Sequence, residues 1–273
     1  MDKFHRNERI GVILKTLCDL PGEVFTLGFF SDLFGSAKST ISEDVDIIQN
    51  LLDKLDMGII ESIPGSLGGV RFIPRYKKQK IKGILDGLCK ELSSPHRILP
   101  GGYIYMLDII YDPHKASDIG NIFAGYFFKK AIDYVVTVET KGIPLAFSVA
   151  RSLNVPLLIA RRNSEAADGP SVNINYVTGS SKKIQTMVLS TRALKRNSRL
   201  LFIDDFMKGG GTAGGFVELA KEFECEVAGI GIFIERKAPE RKLVDNYMSL
   251  ITLNNTDEVE KSIDITPSKD WEN

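Results

Sequence analysis

Apolar and polar positions at the start of the chain recur with a helical period. Ile10, Ile13, Leu14, Leu17 and Leu20 fall three and four apart, so they share one face of a helix. Pro21-Gly22 ends that helix, and Thr26 caps a short second one with Phe29, Phe30, Leu33 and Phe34 expected inside. Gly35-Ser36 leads to a third helix over residues 37–54, with an inner stripe of Ile41, Val45, Ile48, Leu52 and Leu55. Its other face shows Lys38, Ser39, Ser42, Asp46 and Gln49. The period then shortens: Ile59–Ile63 and Val70–Ile73 flank Pro64-Gly-Ser-Leu-Gly-Gly69, which predicts a hairpin with a glycine-rich tip. A further amphipathic helix carries Ile81, Ile84, Leu85, Leu88 and Leu92 and stops at Ser93-Ser94-Pro95.

Beyond it, short apolar runs alternate with helical stripes. A helix over 118–130 is expected to bury Ile119, Ile122, Phe123, Tyr126 and Phe127. Tyr134–Val138 reads as a strand, Glu139-Thr-Lys-Gly142 as its loop, and 143–153 as the next helix. Pro156–Ala160 is a strand followed by a polar, mobile loop at 163–171. Asn173–Val177 and Ile184–Leu189 form an antiparallel pair around residues 178–183. Leu200–Ile203 is a buried strand with Asp204 and Asp205 at its end, then a loop of Lys208, Gly209, Gly210, Gly211 and Thr212, then a helix over 214–223. Cys225–Ile234 and Tyr247–Leu253 supply later strands, and the polar stretch after Asn254 predicts a loosely ordered end. Such alternation implies an α/β domain with a mainly parallel sheet and a ligand site at the strands' carboxyl ends. The expected division is residues 1–75, a linker helix at 76–98, a ligand domain at 99–255 and a tail at 256–273.

At 273 residues, with 43% apolar residues, the chain can bury a sizeable core. Formal net charge is +0, so bulk charge selects no partner. Cys18, Cys89 and Cys225 have no ligand spacing, and His5, His96 and His114 are scattered, so neither a disulfide nor a metal cluster is expected. No leader and no membrane-spanning run is legible, which points to a soluble cytoplasmic protein.

Three helices followed by a hairpin is the order of a winged helix-turn-helix, whose third helix enters the major groove of duplex DNA. Lys38, Ser39, Thr40 and Ser42 sit in that helix's opening turns and suit phosphates and base edges. Arg6, Arg9, Lys15, Lys38 and Arg71 are expected to form one basic strip, with Glu43, Asp44 and Asp46 turned away. Winged helices also serve as protein-interaction modules, so composition alone does not decide the partner.

The 201–215 stretch has the parts of an anion cradle: a strand end, glycines that let the backbone approach closely, a helix start, the Thr212 hydroxyl and the Lys208 charge. Carboxylates repel phosphate but accept hydroxyls, so Asp204 and Asp205 fit a vicinal diol. Ribose 5-phosphate has both features. The glycine spacing also satisfies a dinucleotide fingerprint, with Glu235 as the ribose acid, but there the first glycine should follow its strand directly. Thr140, Lys141 and Gly142 form a second strand–loop–helix turn with a positive charge, suited to pyrophosphate.

The acidic stretch resembles the phosphoribosyl pyrophosphate (PRPP) motif of type I phosphoribosyltransferases, departing from it at Lys208 and Gly209, where those enzymes usually carry Thr, Ser or Ala. Nearly the whole chain resembles the purine-operon repressors of Gram-positive bacteria. That resemblance rests on Lys38-Ser-Thr-Ile-Ser-Glu-Asp44, Leu99-Pro-Gly-Gly-Tyr103, Glu139-Thr-Lys-Gly142, Ser171-Val-Asn-Ile-Asn-Tyr-Val177 and Asp204-Asp-Phe-Met-Lys208 with its glycines and Thr212. It implies a winged helix fused to a non-catalytic phosphoribosyltransferase-like domain, acting as a homodimer on palindromic operators. It further implies PRPP as effector, Mg2+ accompanying it, guanosine tetraphosphate sharing the pocket, and Tyr103 and Phe206 stacking on a base. The alternative is an active purine or pyrimidine phosphoribosyltransferase with an added regulatory domain.

Overall fold

A computed structural model describes residues 4–65, 68–163, 169–177 and 184–272. The hairpin tip at 66–67, most of the expected 163–171 loop and the 178–183 connection lie outside the described residues.

The N-terminal domain is three helices, α1 (Arg6–Asp19), α2 (Leu27–Phe34) and α3 (Lys38–Leu55), and an antiparallel hairpin, β1 (Ile59–Ile63) with β2 (Gly69–Ile73). The Thr26 hydroxyl accepts the Phe29 N–H at 3.0 Å, a cap worth about 1 kcal/mol. Gly35, at φ 59°, closes α2 in the left-handed conformation. Ile13, Leu17, Phe30, Ile41 and Ile48 form the fully buried centre. Not every apolar residue of α2 joins it: Phe29 and Leu33 are 48% and 47% exposed. A helix this short has one inner face, and the 30/34 pair occupies it, so the 29/33 pair points outward. Leu55, expected inside, is also exposed at the end of α3.

The linker helix α4 (Lys78–Leu92) leads to a small hairpin, β3 (Ile98–Leu99) with β4 (Tyr103–Ile104), then α5 (Leu107–Ile110) and α6 (Pro113–Phe127). Asp112 caps α6 and Pro113 opens it, so the helix starts earlier than its apolar stripe suggests. Tyr126 on α6 stays 37% exposed, contrary to expectation. There follow β5 (Tyr134–Val138), α7 (Ile143–Leu153), β6 (Leu157–Ala160), β7 (Ser171–Val177), β8 (Ile184–Ser190), β9 (Arg199–Met207), α8 (Gly211–Glu222), β10 (Glu226–Arg236), β11 (Met248–Asp257) and β12 (Ser262–Pro267). Six strands make one sheet in the order β12-β11-β10-β9-β5-β6. All its pairings are parallel except β11 with β12. The β7–β8 pair is antiparallel, as expected, and stands apart. Separate apolar cores lie on the two faces of the sheet, one with α6 and α7, the other with α8 and the β7–β8 pair.

The expected loose tail is corrected. β12 pairs with β11, and a final turn buries Trp271 to 9% exposure beside α4. Ile263, Ile265 and Trp271 alternate or cluster too sparsely to stand out in a polar run, yet they suffice to close the sheet edge.

The N-terminal domain meets the C-terminal one where the Arg71 guanidinium lies 4.9 Å over the Phe128 ring, and beside it the linker residue Tyr76 is tied to α6. Asn121 donates to the Tyr76 hydroxyl at 2.8 Å, Tyr76 donates to Asp118 at 3.0 Å, and the Ser152 hydroxyl at the end of α7 donates to Asn121 at 2.8 Å. A 450 Å³ cavity separates Cys18, Met57 and Phe72 from Tyr111, Phe147 and Arg151.

Candidate functional site

The first site sits at the carboxyl end of the parallel sheet. β9 does not stop at the acids: it pairs with β10 as far as Met207, so Asp204, Asp205 and Phe206 are strand residues held in fixed register. α8 begins at Gly211, earlier than its apolar run, so Gly211 and Thr212 are its first turn. The unpaired N–H groups and positive dipole end of a full helix therefore face the cleft. Gly210 is the N-cap at φ 79°, a conformation that a side chain would strain.

The cleft measures 210 Å³ and is lined by Tyr103, Arg162, Gln185, Asp204, Phe206 and the whole Lys208–Thr212 segment. Asp205 is 8% exposed beside Asp204, and its N–H donates to the Asp204 carboxylate at 2.9 Å. The two acids are therefore unequal: Asp204 reaches the cleft, whereas Asp205 backs it. Burial first, and then the adjacent Asp205 carboxylate, raise the Asp204 pKa well above the ordinary range.

The second loop abuts the first. A Cβ on Gly142 would lie 3.2 Å from the Asp204 carboxylate and 2.7 Å from the Thr137 hydroxyl, so only glycine fits. That hydroxyl is buried without a partner among the described residues. Thr140 and Lys141 are exposed on the loop, beyond the lining of the cleft. The Glu139–Thr140 peptide is cis. Tyr103 and Phe206 approach with ring centroids 5.8 Å apart, and the Lys208 ammonium lies 5.5 Å from the Tyr103 ring.

Arg162 and Gln185 were not singled out from sequence. Arg162 begins the polar stretch after β6, where its meaning depends on the fold bringing it opposite Asp204. Glu235, the candidate ribose acid of the dinucleotide pattern, accepts instead from Tyr247, Ser249 and Thr252. That network ties β10 to β11 and turns Glu235 away from the glycines.

The second site is the opening of α3. Lys38 and Ser39 are exposed, Thr40 and Ser42 half-buried. Ala37 gives α3 no side-chain cap, which leaves the helix's first N–H groups for another acceptor. Arg9 drops out of the expected basic strip. Arg9 is buried and donates to Asp44 at 2.7 Å, with Asp44 fully buried. Arg6 bridges to Glu43 at 2.8 Å, and Lys15 pairs with Asp19. Arg71 bonds Glu61 at 2.7 Å and lies 4.9 Å over the Phe128 ring, at the domain junction. Only Arg9 is held inside, and it sits on a carboxylate because burying a lone guanidinium is costly; Arg6 and Lys15 stay exposed in surface ion pairs.

Comparison with known proteins agrees with this division. Residues 5–74 match the family described as the bacterial purine repressor N-terminal domain, and residues 106–266 the phosphoribosyl transferase domain. The "Purine biosynthesis transcriptional repressor PurR" of Bacillus subtilis is 45% identical over 263 residues, covering 96% of this chain and 92% of that protein. The "Purine biosynthesis transcriptional activator PurR" of Lactococcus lactis is 39% identical over 260 residues, covering 95% and 96%. Among solved structures, adenine phosphoribosyltransferase from Thermoanaerobacter pseudethanolicus superposes with a TM-score of 0.53 at 16% identity, over 61% of this chain and 98% of that one. That likeness shows the fold of the C-terminal domain. The chain belongs to the PurR family of purine biosynthesis regulators, a purine repressor N-terminal domain joined to a phosphoribosyltransferase domain.

Proposed function

We propose that this protein is a DNA-binding repressor of purine biosynthesis genes and that PRPP, bound in the Asp204–Thr212 cleft, relieves repression. The observation that carries the effector reading is the abutment of Gly142 on Asp204, which joins a loop suited to pyrophosphate to a helix start suited to a 5-phosphate. Asp204 accepts a ribose hydroxyl, the N–H groups of Gly211 and Thr212 with Lys208 take the phosphate, and Lys141 reaches the pyrophosphate from the rim. A phosphorylated guanine nucleotide fits the same cleft, its base against Tyr103 and Phe206.

Mg2+ suits this donor set only as a companion of the effector. No cluster of three or more acidic, histidine or cysteine ligands exists among the described residues. One carboxylate, Asp204, together with effector oxygens is the kind of site Mg2+ accepts. The ion would supply charge neutralisation between diol and pyrophosphate.

The α3 opening binds duplex DNA, and a homodimer presents it twice to a palindromic operator. Effector binding can alter DNA affinity only by favouring one arrangement of the two domains over another, or by placing a polyanion on surface shared with DNA. The domain catalyses no transfer in this reading. No helix among the described residues is long and apolar enough to cross a membrane, which suits a cytoplasmic site of action.

The test is fluorescence anisotropy with DNA from upstream of purine genes, with and without PRPP, over a salt titration. Specific binding that falls with salt and is released by PRPP is expected. Binding indifferent to PRPP defeats the effector role, and steady pyrophosphate release with a nucleobase present defeats the non-catalytic role.

A further inference from the structure

Behind the glycine loop, three main-chain carbonyls converge on one ammonium. Lys242 Nζ donates to the Lys208 carbonyl at 2.9 Å, to the Lys237 carbonyl at 3.4 Å, and to the Arg236 carbonyl. The next residue continues the clamp: the Leu243 N–H donates to the Gly209 carbonyl at 3.0 Å. Val244 is buried in the same apolar cluster as Met207 and Ala213, which fixes the segment against the loop. Gly210 leaves no slack, since a Cβ there would meet the Leu243 nitrogen at 3.1 Å.

In a planar trans peptide the carbonyl and the following N–H point in opposite directions. Holding the Lys208 and Gly209 carbonyls back therefore turns the Gly209 and Gly210 N–H groups forward, towards the cleft. Released, those carbonyls could rotate into it and repel an anion.

We propose that Lys242 is a positioning residue of the effector site: its ammonium locks the Lys208–Gly210 peptides in the orientation that receives a phosphate. The inference rests on the reading that this cleft takes a phosphorylated ligand. Among the described residues no carboxylate forms an ion pair with Lys242, and its ammonium is bonded only to neutral carbonyls. Burial lowers its pKa; the nearby Glu235 carboxylate opposes that shift and the Arg236 charge adds to it, so Glu235 offsets the ammonium's charge without bonding it. Lysine suits the place because its three N–H donors match three acceptors.

The test uses the full chain and ribose 5-phosphate as probe, by titration calorimetry. Lys242→Met should weaken uptake roughly ten- to a hundredfold, the loss typical of a charged hydrogen-bond donor. Lys242→Arg should restore most of it, a rescue that simple loss of packing would not give. Operator affinity without effector should stay unchanged in both variants. If Lys242→Met fails to fold, Lys242→Gln replaces it, with a smaller loss expected. Wild-type affinity in the Met or Gln variant overturns the inference, as does an equal loss in Met and Arg. Wild-type protein that takes up no ribose 5-phosphate overturns the reading of the cleft itself, and this inference with it.

Discussion

In the N-terminal domain Arg9 is buried on Asp44, Arg6 lies on Glu43, Lys15 on Asp19 and Arg71 on Glu61. In the C-terminal domain Lys208 and Arg162 instead line a cleft with Asp204, and the start of α8 aims its dipole there. The N-terminal domain, with 8 Lys/Arg against 11 Asp/Glu in residues 1–75, and the C-terminal domain place charge differently. The first holds Arg9 on a buried carboxylate, pairs Arg6, Lys15 and Arg71 nearer the surface, and exposes Lys38 beside an uncapped helix start. The second collects charge and open backbone donors at one strand end. A basic residue in a sequence is thus evidence for a ligand only once its acidic partner has been sought.

The sharpest way to break that comparison is to remove an inward arginine. Arg9→Leu leaves the fully buried Asp44 only the half-exposed Arg6, 3.4 Å away, and should cost about 3 kcal/mol of N-terminal domain stability, read by urea unfolding. A variant of normal stability with weakened DNA binding would return Arg9 to the groove. A comparable loss, about 3–5 kcal/mol, is expected in the C-terminal domain from Trp271→Ala, read by the same method. An unchanged midpoint would restore the loose tail. Asp204→Asn should weaken PRPP binding roughly tenfold to a hundredfold, measured by calorimetry, while operator affinity without effector stays at the wild-type level. Lys38→Ala should lower operator affinity and reduce the salt slope by about 1, seen in an anisotropy titration, without altering PRPP uptake.

The smallest effect is a proton. Asp204 has a raised pKa in the free protein, so at a pH between the ordinary carboxylate range and that raised value it is still partly protonated. Its contribution to stability is present at low pH and is lost as pH rises through the raised pKa. An effector carrying a cation selects the ionised form, so binding should release a fraction of a proton and strengthen with pH across that window. Calorimetry in buffers of different ionisation enthalpy measures it, and zero release would place the ligand away from Asp204.

Much of this was legible in the chain. The apolar stripes located α1, α3 and α4, and the order of strands and helices implied the mainly parallel sheet that is observed, with the cleft at its carboxyl end. The motifs named the cleft residues because strand, loop and helix start are consecutive in sequence. What was hidden depends on distant residues meeting. Nothing near Arg9 reveals that Asp44 faces it, and nothing near Arg162 or Lys242 reveals the cleft. Strand and helix ends were also blurred: Asp204–Met207 are polar or mixed residues that tertiary pairing holds in β9, and Gly211 enters α8 against its own propensity. The tail was misread because the sheet edge it covers cannot be seen in its own composition.

The covering of that edge has a bearing on how the protein is made. α4 packs against β11 and β12, and the Lys78 ammonium donates to the Glu272 carbonyl. All the buried residues of the N-terminal core, Ile13 to Phe72, are present once residue 73 has left the ribosome. α4 emerges next, and its apolar side stays uncovered until β11 and β12 have been made. Chains halted before β11 should therefore carry the N-terminal domain on an unanchored stalk, and only those that include β12 would hold that domain in a fixed relation to the cleft.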